Sequence, residues 1–189
     1  MAFLNYEDAH GHLPPAAVCG PDGTPLLSWR VLLLPYLEQQ ELYDQLRLDE
    51  PWDSGHNRRF IDRMPSTFKA PYTRYVDVPA GHTVLKVFVG PGTALGGGAC
   101  ERCGDSFPDG RERTLLYVEA GDPVPWMKPA DVPFDPNRPS VLKGLFRDGY
   151  RSGTADGAGY KFIRHGVPWP RLRAAITRDS GETDTSPWE

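Results

Sequence analysis

LLSWRVLLLPYLEQQELYDQLRLDEPWDSGHN, residues 26–57, reads as the centre of packing of the chain. It combines an N-cap candidate at Ser28, a dense apolar run (Trp29, Val31, Leu32, Leu33, Leu34) and an amphipathic continuation through Tyr36, Leu37, Leu42, Tyr43 and Leu46. The spacings Trp29/Leu33/Leu37 and Leu42/Leu46 are helical, so these side chains share a face that must find a core. Pro35 removes a backbone donor and crowds the preceding turn, which predicts a kinked helix or two short helices meeting there. Residues 38–41 form the solvated side, and Glu50-Pro51-Trp52-Asp53 ends the region and lays an aromatic ring back on the domain.

Upstream, residues 2–12 predict the end of a helix bearing Phe3, Leu4 and Tyr6, closed by Gly11 and stopped by Pro14-Pro15. So abrupt a start reads as the remainder of something longer. Pro21-Asp22-Gly23 is a tight-turn signal leading into the central helix. Downstream, a short helical piece is predicted over 58–64, ended by Pro65, then an extended segment over 68–78. The clearest strand is 83–89 (TVLKVFV), with Lys86 as its single outward residue, followed by a loop over 90–98.

A second strand is predicted over 114–119 (TLLYVE), and 123–139 reads as a long Pro-rich connection. Strands over 150–155 and 159–163 are joined at Asp156-Gly157, a hairpin turn pair. A last helix is predicted over 168–177, with proline in its first turn and Leu172 and Ile176 four apart. Helices first and strands afterwards, in hairpin-like order, is the α+β pattern. The prediction is therefore a single domain over residues 1–177, with helices packed on a small antiparallel β-sheet and long Pro/Gly-rich loops. Residues 178–189 form a polar C-terminal tail.

Composition agrees with one loop-rich domain: 189 residues carry 20 Gly and 20 Pro, yet also eight Phe, eight Tyr and five Trp. A formal net charge of −4, with both signs interspersed, provides no basic stripe to neutralise phosphates, so nucleic acid is excluded as a partner. There is no run of about 18 apolar residues, and the first residues lack the basic-then-apolar layout of an export signal. The chain as given is expected neither to insert into a membrane nor to export itself.

The glycines after 83–89, at Gly90, Gly92 and Gly96, invite comparison with a dinucleotide loop. The third comes one residue late, Pro91 occupies the turn and no helix evidently follows, so a surface loop is the better reading. Cys100 and Cys103 have the two-residue spacing of half a zinc knuckle. A complete site would add Cys19 and one of His10, His12, His56 or His82. A local or redox-labile disulfide and free thiols are the other readings of these three cysteines. His10 and His12 read as capping or packing residues. Asp49, Glu50 and Asp53 with Arg58, Arg59 and Arg63 read as a solvated ion-pair network. No nucleophile has a neighbouring base, so no enzyme is predicted.

Further residues carry a family resemblance. The blocks 5–16 (NYEDAHGHLPPA) and 28–39 (SWRVLLLPYLEQ), then Trp52-Asp53, Asn57-Arg58 and 89–94 (VGPGTA), are five of its motifs. Val118-Glu119 leading to Val124-Pro125-Trp126, and Asp156-Gly157 before 160–163 (YKFI), complete it. Together they resemble the large bacterial family of prepilin-like proteins with a domain of unknown function, marked near the C-terminus by H-x9-D-G. The resemblance implies a pilin-like α+β head and a non-enzymatic, pseudopilin-like role in a cell-envelope or surface assembly, with pilin-like subunits, self or other, as partners.

Family members begin with a basic leader and a long apolar anchoring helix, so this chain is expected to start at the end of that helix and to lack the anchor. The family histidine falls on Phe146, and the family Cys-Pro after the second helix is Ala70-Pro71. Calcium in the C-terminal loop is implied by related pseudopilins, although no matching ligand run is evident. The alternative is a soluble, zinc-stabilised adaptor subunit of a larger complex. By resemblance the place of action is the cell envelope or outside the cell, with the cytoplasm as the alternative.

Overall fold

The computed structural model describes residues 1–69, 77–101, 106–139, 142, 146–181 and 188. Helix α1 (Ala2–His10) is closed by Gly11 in the left-handed conformation, φ 76°, as its sequence predicts. Strands β1 (Ala17–Cys19) and β2 (Pro25–Ser28) form an antiparallel hairpin. The Pro21-Asp22-Gly23 turn therefore closes a hairpin that the sequence reading did not include. Asp22 makes the turn by accepting from the backbone N–H and the hydroxyl of Thr24.

The stretch 26–57 then breaks into three short pieces. Helix α2 (Trp29–Leu32) has Ser28 as its N-cap, its hydroxyl accepting from the Arg30 N–H. A 3₁₀ turn (Leu34–Leu37) carries Pro35 near its start and is capped by Glu38, whose φ of 59° is left-handed. Helix α3 (Gln40–Gln45) follows. Trp29, Val31, Leu33, Leu34, Leu42 and Leu46 are all buried, so the spine foreseen in this stretch is where the larger core sits. Asn57 is also buried and clamps the turn that follows, its amide donating to the carbonyls of Arg47, Glu50 and Pro51 while its oxygen accepts from the Arg47 N–H. The predicted helical piece after it is a 3₁₀ segment (Asn57–Arg63).

The main sheet is antiparallel, in the order β3 (His82–Lys86), β5 (Leu115–Pro125), β7 (Gly149–Thr154), β8 (Tyr160–Arg164). A separate short pair, β4 (Phe88–Val89) with β6 (Val132–Pro133), is parallel. The fold is α+β, with helices on small, mainly antiparallel sheets. Three sequence expectations need correction. The strand over 83–89 is broken at Val87, whose N–H donates to Asp131 Oδ1 and whose carbonyl accepts from Val132, so its backbone leaves β5 for the 131–134 segment. Lys86 is buried rather than outward. The Pro-rich connection contributes the end of β5 and all of β6.

Two cores lie on opposite sides of the sheet. The larger joins α1, the hairpin and the broken spine, while the smaller holds Val118, Ala120, Tyr150 and Ile163 against helix α4 (Trp169–Ile176). A register shift in β5 between Leu115 and Tyr117 puts Leu116 and Tyr117 against the same core, where regular alternation would separate them. The hairpin turn is as predicted: Asp156 Oδ1 accepts from the Thr154 hydroxyl and the Ala158 N–H, and Gly157 has φ 71°. The first tail residues are fastened, since Ser180 and Gly181 donate to the Asp109 carboxylate. Ala70-Pro71, most of the extended stretch over 68–78, Cys103 and most of the tail lie outside the described residues. No described helix is long and apolar enough to cross a membrane.

Candidate functional site: a cleft beside the first helix

A cleft of about 400 Å³ lies between the start of α1, the spine and the face of β3 and β5. Its lining is mainly apolar, with Phe3, Trp29, Leu33, Phe68 and Leu85 forming much of its wall. An aromatic line stiffens that wall. Ring centres are 5.0 Å apart for Phe3–Trp29, 6.1 Å for Trp29–Phe68 and 6.1 Å for Phe68–Trp126. Helix α1 is held over the cleft by a bidentate pair in which Arg111 donates to both Glu7 oxygens at 2.8 and 2.6 Å.

A buried ion pair fixes the far wall. Arg30 is 0% exposed and Asp131 3%. The guanidinium donates to Leu85 O through both Nε and Nη2, to Ser28 Oγ and to Asp131 Oδ1, and it lies 4.6 Å from the Trp29 ring centre. Asp131 Oδ1 also accepts from the Trp29 indole N–H at 3.1 Å. Burial lowers the Arg30 pKa and Asp131 opposes the shift. Both wall residues, Trp29 and Leu85, are thus positioned by one charge.

Two polar groups enter the cleft from β5. Tyr117 has its pKa pushed up to about 12 by burial, with Tyr160 and Glu119 adding to it. Glu119 stands opposite Leu85 in the β3–β5 ladder and is 4% exposed, and its Oε2 has no hydrogen-bond partner. Burial raises its pKa and the Arg151 charge opposes that. Of the three exposed large apolar residues among those described, Met1 and Tyr160 (65%) line the cleft, while Phe162 (40%) lies against Phe146. Tyr160 and Phe162 are two apart on β8 and so share a sheet face.

The residues singled out from sequence lie elsewhere. Cys19 and Cys100, 81 residues apart, are joined in a disulfide that ties the hairpin to the loop after β4. In that state neither sulfur is the thiolate that zinc binds, so a zinc set on Cys19, Cys100 and Cys103 requires the bond reduced. The described residues contain no group of three or more His, Cys, Asp or Glu side chains placed to hold a metal. His10 stacks on Tyr6 and meets the Tyr36 hydroxyl at 3.0 Å, and His12 meets Leu13 O.

The acidic cluster at Trp52 is not paired as foreseen: Glu50 pairs with Arg47, while Arg59 contacts His56 and Arg63 donates to Gln45. The glycine loop is not wholly superficial, because Thr93, Ala94 and Leu95 are buried and the Thr93 hydroxyl donates to Gly90 O and Gly96 O. Sequence reasoning missed Arg30, Asp131 and Glu119. The signal for Arg30 and Glu119 was a charge set within an apolar run, in SWRVLLL and LLYVEA. Asp131, in a Pro-rich connection, carried no such mark.

The chain matches no curated protein and no solved structure. It belongs to the family described as Protein of unknown function (DUF1559), whose model, SBP_bac_10, matches residues 1–106. That portion spans α1, the hairpin, the spine and β3, and ends before β5. One wall of the cleft therefore lies within the matched part, while Tyr117, Glu119 and Tyr160 lie beyond it.

Proposed function

We propose that this member of the DUF1559 family is a non-enzymatic, pseudopilin-like interaction head that docks another protein subunit of a cell-envelope or surface assembly through the cleft beside α1. The observation that carries the reading is the exposure of Met1 and Tyr160 in the lining of an apolar cleft. Exposed apolar side chains around an apolar depression are the anatomy of a contact surface, where a partner's side chains fill the depression and the rim excludes water. The association of the family with pilin-like proteins supports an assembly role. The Cys19–Cys100 disulfide supports an oxidising compartment, which the envelope and the cell exterior provide.

The test is site-specific photo-crosslinking in the native host, with the reactive group at position 160 and a control at Arg138, which is exposed. The expected result is one dominant adduct from position 160 with an envelope or surface protein, itself or another subunit, and none from position 138. Equal labelling at both positions, or an uncrosslinked protein in the cytoplasm, refutes the proposal.

A further inference from the structure

The cleft contains one feature that a purely apolar contact does not explain. Glu119 brings a carboxyl to an almost fully buried place on the β5 face and leaves Oε2 without a hydrogen-bond partner. An orphaned buried acceptor costs about 1–3 kcal/mol, more when charged, so it marks a place where a donor belongs. Three basic groups of this chain are near enough to consider, and the first, the α-ammonium of Met1 in the cleft lining, makes no hydrogen bond to Oε2. Arg151 acts on Glu119 electrostatically, but its guanidinium lies 5.5 Å from the ring centres of both Phe146 and Tyr160 and does not satisfy Oε2. Lys69 lines the same cleft, is exposed, and forms no ion pair with Glu119.

Resting on the docking reading above, we infer that the cleft receives a lysine side chain of the partner protein, its methylenes against Trp29, Leu33 and Leu85 and its ammonium paired with the Glu119 carboxylate. Three properties of the site select that chemistry. The wall is aliphatic and aromatic, which suits the four-carbon stem of lysine. The acceptor is a carboxylate set among apolar walls, which pairs with the compact point charge of an ammonium. The mouth is open, with the exposed side chains of Met1 and Tyr160 in its lining, so the occupant is a residue of a larger surface and not an enclosed small molecule.

The experiment titrates the ¹⁵N-labelled full chain with three peptides, Ac-Ile-Lys-Leu-NH₂ and its norleucine and glutamate counterparts, following the amides of Leu33, Leu85 and Tyr117. The lysine peptide is expected to bind at least about tenfold more tightly than the norleucine peptide, as a charge-assisted hydrogen bond implies, and the glutamate peptide not at all. Glu119→Gln, close in shape to the native residue, should abolish the lysine preference while norleucine binding persists.

Equal binding of the lysine and norleucine peptides overturns this inference and leaves the docking reading standing. A preference that survives in Glu119→Gln overturns it as well. So does a preference that emerges only in Arg151→Met or Lys69→Met, since Glu119 would then be satisfied from within the chain. Failure of all three peptides to bind overturns both the inference and the assignment of the cleft as the docking surface.

Discussion

Replacing Arg30 by methionine tests whether one buried charge holds the wall of the cleft. The guanidinium is fully buried, and its removal takes the donors from Leu85 O and the counter-charge from Asp131, which is itself 3% exposed. Asp131 keeps two donors, the Trp29 indole and the Val87 N–H, but as a buried carboxylate without its cation. Breaking one side of such a pair costs about 3–5 kcal/mol, because the remaining charge is left uncompensated. Arg30→Met is expected at that level, a large part of the roughly 5–15 kcal/mol that a domain of this size holds in reserve.

The companion Arg30→Met/Asp131→Asn removes the stranded charge and should recover about 2 kcal/mol or more, a non-additivity typical of directly bonded groups. Urea unfolding followed by tryptophan fluorescence reads both, since Trp29 and Trp126 are fully buried. The midpoint should fall without a change in slope. An Arg30→Met variant within about 1 kcal/mol of wild type, well under the loss expected of a buried pair, would refute the reasoning. A double variant no more stable than that single variant would refute it too.

Cys19→Ser/Cys100→Ser opens an 81-residue link, for which the chain-entropy argument gives a loss of about 4.5 kcal/mol in urea unfolding. Thiol titration of the unreduced, denatured wild type should return one thiol, the three cysteines less the two in the bond. Glu119 has its folded pKa raised by burial, so the folded state binds more protons than the unfolded one above the ordinary carboxyl range. Its contribution is therefore favourable at low pH and is lost as pH rises, and Glu119→Gln should gain stability on wild type as pH rises above the ordinary carboxyl range, measured by thermal unfolding. Gly90→Ala would set a Cβ 2.0 Å from the Phe134 carbonyl oxygen, so it should force the loop and β6 apart and cost about 1–3 kcal/mol or more by urea unfolding.

Local chemistry was enough for several elements. Helical spacing, Ser28 as a cap, the break at Pro35, the Gly11 stop and the Asp156-Gly157 turn are all set by a residue and its near neighbours, and each occurs where the sequence puts it. The α+β class followed from their order. The β1–β2 hairpin was legible only as a turn, because its strands are too short to show alternation. What the chain could not declare by itself are the long-range pairings. Asp131 splits a continuous β-branched run at Val87 because one carboxylate gathers donors from Trp29, Arg30 and Val87, an arrangement that exists only once those segments meet.

The disulfide is of the same kind: spacing drew attention to Cys100 with Cys103, whereas proximity in the fold joined Cys100 to Cys19. Glu119 read simply as the end of a strand. Only the crossing of β5 past Leu85, beneath the start of α1, turned it into a buried acceptor in an apolar cleft. Elements within a turn or two are governed by backbone sterics and side-chain period. A site is governed by which surfaces lose water together, and that is decided by tertiary contact alone.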